Sequence, residues 1–517
     1  MYIQTVFIAL SFALTFLFFL YGFNHYYLLS AAYRYKTPGL PGGTMTDKPR
    51  VAIHLPVYNE KYVMHRLILA CASIAESYGR DRVKIVIIDD SDDETAEVID
   101  QEIAEYQAKH LEIEVMRRSS RQGYKAGALQ AALERTQEEF VAIFDADFTP
   151  PPDFLVRSMP FFLQDEQLGI IQSRWTHLNR GYNILTEAIA TGIDVHFMIE
   201  QTGRYATGSL QNFNGSGGII RTKALRQAGG WQSDTLSEDL DASYRVQMQG
   251  YRVLYLNDLQ VPGEIPPTVP SFKKQQARWA NGSLRTAKKL LPALLTSRKF
   301  GFRQRLEAFI HLTGYMVHPL MFTSFFLTCL AVLLRVDIFH FDKIVTDLEM
   351  SGLFGSINAQ NTLSIRYVVW TLVGLLILFC TIAAWIPPLI ALKQQPISLW
   401  RKFYDFVILF FLGCGVSLSN TIEAGKALLT NRDWVFKRTP KYDVRSRKEN
   451  WSNKSYQVSL DFECFLELIF VCLGGASIGY SFWTSNLGAL LILVPFTAAY
   501  AFVASLTILQ SRQGEGA

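Results

Sequence analysis

Charge is scarce in this chain. Only 19% of its 517 residues are Asp, Glu, Lys or Arg, against 49% hydrophobic, which excludes a disordered protein and strains a purely soluble reading. Neither sign dominates. Fifty basic and 46 acidic residues leave a formal charge of +4, too little to support nucleic-acid binding, and no nucleic acid is expected as a partner. Cysteine is rare as well. The six cysteines (Cys71, Cys329, Cys380, Cys414, Cys464, Cys472) show no CxxC or metal spacing. Five of them fall in apolar stretches, so they read as reduced small hydrophobes, not as disulfides or ligands.

What the chain does have is long apolar runs. The first, Tyr2 to Phe23, is long enough to cross a bilayer, which takes roughly 20 residues. It has no basic segment before it and no small-residue cleavage site after it, so residues 1–30 read as a retained transmembrane anchor. Arg34, Lys36, Lys48 and Arg50 follow and place that side in the cytoplasm. Four more spans are expected near 308–335, 366–394, 462–483 and 487–509, giving two helices in region 306–400 and two in 461–510. The connection carrying Asp337, Asp342, Asp347 and Glu349 is expected outside. The apolar core of 402–430, Phe406 to Leu418, is shorter than a span and runs into Ser419, Asn420, Glu423 and Lys426. A basic stretch with Arg432, Lys437, Arg438 and Lys441 follows. Region 401–460 is therefore expected to hold an interfacial or re-entrant helix followed by a cytoplasmic loop.

Between the first two spans, residues 50–265 read as a cytosolic α/β domain. Apolar strands (51–55, 83–88, 140–144) alternate with helical stretches (94–110, 126–135), which implies a mostly parallel sheet with helices on both faces. Ligands bind such sheets at the carboxyl ends of the strands. Asp89-Asp90 and Asp145-Ala146-Asp147 lie just past such ends. Residues 266–305 are basic and amphipathic, as expected of helices at a membrane surface.

Four motifs carry the chemistry. Asp89-Asp90 can accept hydrogen bonds from a base or ribose, helped by Tyr58 and Glu60, although Asp-Asp-Ser is equally a helix-capping turn. Asp145 and Asp147 are hard-oxygen ligands suited to Mg2+ or Mn2+ beside a departing diphosphate. Glu238-Asp239 offers a general base for an acceptor hydroxyl. Ser237 could also cap a helix there, with the acids favouring its dipole. Gln275, Arg278 and Trp279 share a helix face. Arg278 can bind a diphosphate and Trp279 can stack on a sugar ring, or the Trp can be an interfacial anchor.

The series Asp-Asp, Asp-x-Asp, Glu-Asp, Gln-x-x-Arg-Trp resembles the processive family 2 glycosyltransferases of the GT-A fold, which include cellulose, mannan and hyaluronan synthases. Tyr58-Asn59-Glu60, Tyr124 to Leu129, Gln172 to Trp175, Phe213-Asn214-Gly215 and Ala228 to Trp231 are similar to the cellulose-synthase-like mannan and glucomannan synthases. The resemblance implies an α/β GT-A domain inserted between transmembrane helices of a multi-pass membrane protein. It implies that Tyr58, Glu60, Asp89, Asp90 and Lys125 hold the nucleotide, and that Asp145 and Asp147 bind the metal. Asp239 would be the base, with Glu238 beside it. Gln275, Arg278 and Trp279, with Trp175 and Gly215, would bind the diphosphate and the acceptor end. Phe436, Thr439 and Lys441 would belong to a loop similar to the gating loop of cellulose synthases, Phe-x-Val-Thr-x-Lys, in which Arg438 replaces the usual Val and Pro440 stiffens the loop. The chain stops soon after Arg512, so no fused cyclic-dinucleotide domain is expected.

These readings together imply an inverting, processive β-hexosyltransferase of the plasma (inner) membrane. It would use GDP-mannose or UDP-glucose, extend a polysaccharide acceptor within the lipid bilayer, and secrete it through its spans. An accessory secretion subunit or a second copy of the chain is compatible with that layout. The alternative is a non-processive enzyme placing one sugar on a lipid, as ceramide glucosyltransferases do. A transporter or scaffold, with His311, His318 and Glu467 as pathway residues, would have no need of four intact motifs.

Overall fold

The computed structural model describes residues 2–42, 47–336, 359–430, 439–453 and 460–515. It divides into two compact units: Leu28–Thr313 with Gly425–Gln457, and Met1–Tyr27 with Gly314–Ala424 and Val458–Gly516.

The first unit is built on one seven-stranded sheet. Its strands are β1 (Val51–Val57), β2 (Val83–Asp89), β3 (Ile113–Arg117), β4 (Phe140–Ile143), β5 (Leu168–His177), β6 (Gly218–Arg221) and β7 (Arg252–Gly263), in the order β3-β2-β1-β4-β6-β5-β7. The β3-β2-β1-β4 half is parallel, as the alternation of strands and helices predicts. Beyond it β6 runs antiparallel to both β4 and β5, so the sheet is mixed. Parallel strands covered on both faces read as unbroken apolar runs, and the core shows why. Alternate residues of β1 and β2 point oppositely. Val51, Ile53, Leu55, Val83, Ile85 and Ile87 enter one hydrophobic cluster, while Ala52, Val86 and Ile88 enter the other.

Two helices expected at the membrane surface follow the sheet. Val269–Thr296 starts at a Thr268 cap, with Pro270 in its first turn where no amide is lost. Its later turns bury Ala287, Leu290 and Leu294 against Leu240, Tyr244, Ala308 and Leu312. The next helix, Phe302–Leu312, leaves Phe302 75% exposed.

Among the described residues, five helices are long and apolar enough to cross a membrane: Ile3–Arg34, Gly314–Leu333, Leu399–Leu429, Phe462–Trp483 and Leu487–Gln513. Helix Ala359–Lys393 is 35 residues long, and its Leu378–Lys393 part is apolar. The segment expected to be too short, 402–430, therefore has span length. It breaks at Val416 into Leu399–Gly415 and Ser417–Leu429, and it buries Asp405, Asn420 and Glu423. Packing uses small residues and a few polar contacts, as bilayer helices do. A Cβ on Gly415 would meet Val503 at 2.3 Å, and one on Gly474 would meet Thr497 at 2.1 Å. Ser417 Oγ lies 2.8 Å from the Tyr500 hydroxyl. Leu491, Phe465 and Phe16 face outward. The acidic connection with Asp337, Asp342, Asp347 and Glu349 lies outside the described residues.

Candidate active site

A cavity of about 750 Å3 opens over the carboxyl ends of the parallel strands. Its floor comes from β4. The chain leaves that strand with Phe144 N–H donating to His54 O at 3.3 Å, then turns so that Asp145 N–H donates to Ser216 Oγ at 3.0 Å and Phe148 N–H to Asp145 O at 3.0 Å. This turn presents both Asp145 and Asp147 to the cavity.

Each carboxylate already faces an ammonium. Lys125, at the start of helix Tyr124–Arg135, puts Nζ 2.6 Å from Asp145 Oδ1 and 3.4 Å from Glu238 Oε1, and donates to Gly215 O at 3.1 Å. Lys441 puts Nζ 2.5 Å from Asp147 Oδ2. Burial works against charge on Lys125, but Asp145, Glu238 and Asp239 outweigh it and hold the amine above the usual lysine range. Burial raises the Asp145 carboxyl, with Lys125 opposing.

Glu238 and Asp239 open helix Glu238–Met248. Ser237 makes no side-chain cap there; instead the Asp239 carboxylate accepts the Leu240 N–H at 2.8 Å. Burial first, then the Glu238 charge, push the Asp239 carboxyl up to about 7, opposed by Lys125. This suits a base that must hold a proton and release it near neutrality. Gly215 sits at φ +79°, and a Cβ there would come 2.7 Å from Asp239 Oδ2. Only glycine fits both conditions.

The structure brings Tyr58, Glu60, Asp90, Lys125, Asp145, Asp147, Trp175, Glu238, Asp239, Gln275, Arg278, Trp279, Thr439 and Lys441 to this one cavity, whose residues span 56 to 441. Asp89 is not among its lining residues. It is buried, accepting the Ser91 N–H at 3.0 Å and Arg117 Nε–H at 2.9 Å. Asp90 is held by Arg118, with one contact of 2.9 Å through Nε. The Tyr58 ring, expected to meet a base, is covered by the Arg121 guanidinium 3.2 Å from its centroid. Trp175 is a wall residue: Nε1–H donates to Ser216 O at 2.9 Å, and the ring packs between Phe148 and Phe197. Phe436 lies outside the described residues.

The loop bearing Lys441 is strapped down by residues the motifs did not indicate. Glu264, just past β7, accepts the N–H groups of Tyr442 at 2.8 Å and Asp443 at 3.1 Å. Arg66 lies 3.5 Å from Glu264 and also pairs with Asp443. Burial raises the Glu264 carboxyl, against the Tyr442 amide, Arg66 and Lys441. Farther along, Trp451 N–H donates to the Tyr182 hydroxyl at 3.3 Å. An arginine inside the otherwise apolar face of helix Met64–Tyr78 is a signal that could have flagged Arg66. The run Arg117, Arg118, Arg121 beside two aspartates could have flagged the arginines.

The family model described as Glycosyl transferase family 2 matches residues 52–227, and that described as Glycosyl transferase family group 2 matches 140–392. Glucomannan 4-beta-mannosyltransferase 2 of Arabidopsis thaliana is 34% identical over 348 residues, covering 63% of this chain and 65% of that protein. Glucomannan 4-beta-mannosyltransferase 1 of Cyamopsis tetragonoloba is 33% identical, covering 55% of this chain and 54% of its own length. The chain thus spans between half and two thirds of these relatives. A mannosyltransferase from Pyrobaculum calidifontis, solved with GDP-Man and Mn2+, aligns with a TM-score of 0.46 at 19% identity, covering 73% of this chain and 98% of that one.

Proposed function

The chain carries a glycosyltransferase family 2 domain of the GT-A type, and from that premise we propose that it is a membrane-embedded, inverting β-hexosyltransferase that builds a mannan-type polysaccharide. One observation carries the reading: the paired carboxylates, the raised Asp239 carboxyl and the Gln275–Arg278–Trp279 face converge on a single cavity. The relatives' name, 4-beta-mannosyltransferase, favours mannose, and GDP-mannose over UDP-glucose as donor.

The nucleotide would lie toward Tyr58, Arg121 and Asp90, with the diphosphate toward Arg278 and Gln275. Asp145 and Asp147 suit a divalent cation. They are hard-oxygen donors, Mg2+ and Mn2+ sites of this kind take one or two carboxylates plus substrate phosphates, and the structure already places a cationic amine on each. When bound, the ion would neutralise charge on the departing diphosphate. Asp239 takes the proton of the acceptor hydroxyl as that oxygen bonds to the anomeric carbon. The bond to the diphosphate breaks on the opposite face, which inverts the centre. Trp279 offers an apolar face to the acceptor, and Trp175 contributes to the cavity wall.

The strap also bears on topology. Residues 439–451 pack on the catalytic unit. If helices 314–333 and 359–393 each cross the membrane, segment 399–429 begins and ends on the catalytic side, which is the re-entrant arrangement. The catalytic unit would then be cytoplasmic and the spans would pass the polymer outward.

The test is a panel of nucleotide sugars offered to the purified full chain with Mn2+, followed by sizing and linkage analysis. A β-linked ladder from GDP-mannose supports the reading. A single glycolipid product would favour the lipid-directed alternative, and no transfer from any donor would refute both.

A further inference from the structure

The end of β2 and the loop after it carry four aspartates, and each already has a partner. Asp89 accepts the Ser91 N–H and Arg117 Nε–H. Asp90 takes the Arg118 fork through both of its oxygens. Asp92 accepts Asn59 Nδ2 at 2.7 Å through Oδ1 and the Tyr58 hydroxyl at 3.3 Å through Oδ2. Asp93 Oδ1 accepts the Thr95 N–H at 2.9 Å. The carboxylates of this corner are thus engaged within the protein.

The open charge there is a cation. Arg121 lies in the turn between β3 and helix Tyr124–Arg135 and lines the cavity. Its guanidinium centre is 3.2 Å from the Tyr58 ring centroid and 5.5 Å from that of Tyr124. A guanidinium that close to a ring centre lies flat on it, so its N–H groups point along the ring and not into it. Nε is enclosed with no acceptor, and the guanidinium forms no ion pair among the described residues. The turn itself is braced. Arg118 Nη1 donates to Gln122 O at 2.9 Å and Nη2 to Tyr124 O at 3.1 Å, while the Tyr124 N–H donates to Arg121 O at 2.9 Å. A donor fork held in this way costs little ordering when a ligand arrives.

Resting on the hexosyltransferase reading above, we propose that Arg121 selects the base of the donor: its Nη edge reads the adjacent O6 and N7 acceptors of guanine, which favours GDP-sugars over UDP-sugars. Guanine offers those two acceptors side by side, the geometry that an arginine fork matches. Uracil does not, since its O4 is flanked by C5–H on one side and N3–H on the other. Its N3–H needs an acceptor, and the aspartates here are in use. The diphosphate belongs to the other end of the cavity, with Lys125 and the β4 carboxylates. Tyr58 is tied through Asp92 to the loop after β2, and β2 lies across β1 from β4.

The experiment is titration calorimetry on the detergent-purified full chain with Mn2+ and three probes: GDP, its analogue with N7 replaced by C–H, and UDP. Wild type should bind GDP at least about tenfold more tightly than the analogue, the worth of one hydrogen bond to a charged group, and more tightly than UDP. Arg121→Ala should bring GDP and its analogue within about twofold and shrink the margin over UDP at least about tenfold. Arg121→Met keeps an apolar stem on Tyr58 without donors and should behave alike, which covers an alanine variant that does not fold. Wild-type indifference to the N7 substitution, or an N7 penalty retained in either folded variant, overturns the proposal. So does a loss by the same factor for all three probes, which would make Arg121 a diphosphate ligand. Wild type binding none of the three counts instead against the transferase reading.

Discussion

Replacing Asp239 by asparagine keeps the shape of the side chain and removes its charge, which separates chemistry from binding. The Asp239 carboxyl is raised from 3.8 to about 7 by burial and the Glu238 charge. Two consequences follow, of opposite sign. A base must be ionised, so wild-type transfer should climb with pH and level off above about 7, and Asp239→Asn should lose about 10²–10⁴-fold in kcat. Donor affinity should stay within about twofold, since the Asp145, Asp147 and Arg278 contacts are untouched. Stability moves the other way. A carboxyl whose folded-state pKa lies above its unfolded value binds its proton more tightly when folded. The native state therefore loses stability as pH rises from 3.8 through about 7. The full shift corresponds to roughly 4 kcal/mol. Because the side chain borders an open cavity and Lys125 is close, about 1–2 kcal/mol is the reasonable expectation. The variant should thus melt a few degrees above wild type at pH 8 and level with it near pH 4. Radiolabelled polymer synthesis, donor calorimetry and thermal melts at both pH values test this. Polymer made within about tenfold of the wild-type rate would refute the base assignment. A melting gain equal at both pH values would refute the electrostatic argument.

Gly215→Ala should reduce transfer severely while donor binding persists, because the new Cβ would lie 2.7 Å from Asp239 Oδ2 at a φ of +79°; initial rates beside donor calorimetry check it. Lys441→Ala removes the ammonium from Asp147 and leaves a largely buried carboxylate alone. The expected results are a loss of about 1–3 kcal/mol in stability and several-fold tighter Mn2+ binding without nucleotide, read by titration calorimetry. Arg66→Ala releases both Asp443 and Glu264, so amide exchange at Tyr442 and Asp443 should rise well above wild type. Unchanged exchange there would mean that Glu264 alone holds the strap.

Much of the catalytic unit is legible along the sequence because its determinants are local. The runs of β1, β2 and β4 are apolar on both faces, and they fold as a parallel group whose alternate residues enter two cores. Strand β6, only four residues long, has no period to read and is oriented by its partners β4 and β5. Asp145 and Asp147 follow β4 directly, so a strand prediction already places them at a ligand-binding edge. Asp89 and Asp90 look equivalent in sequence, yet a strand end turns successive side chains opposite ways. One is buried and pairs with Arg117, and the other lines the cavity.

The counter-charges were not legible, for a physical reason. Two neighbouring carboxylates in a partly buried turn demand positive charge, and from local sequence a metal ion is the natural source. The structure also places two amines there, and one comes from 294 residues away. No pattern near Asp147 encodes Lys441; what places it is Glu264 taking two strap amides and Arg66 bridging to Asp443. The same arrangement constrains metal binding. Asp147 Oδ2 cannot hold an ammonium at 2.5 Å and a divalent cation together without strong like-charge repulsion. A cation bound at Asp147 would therefore have to displace Lys441.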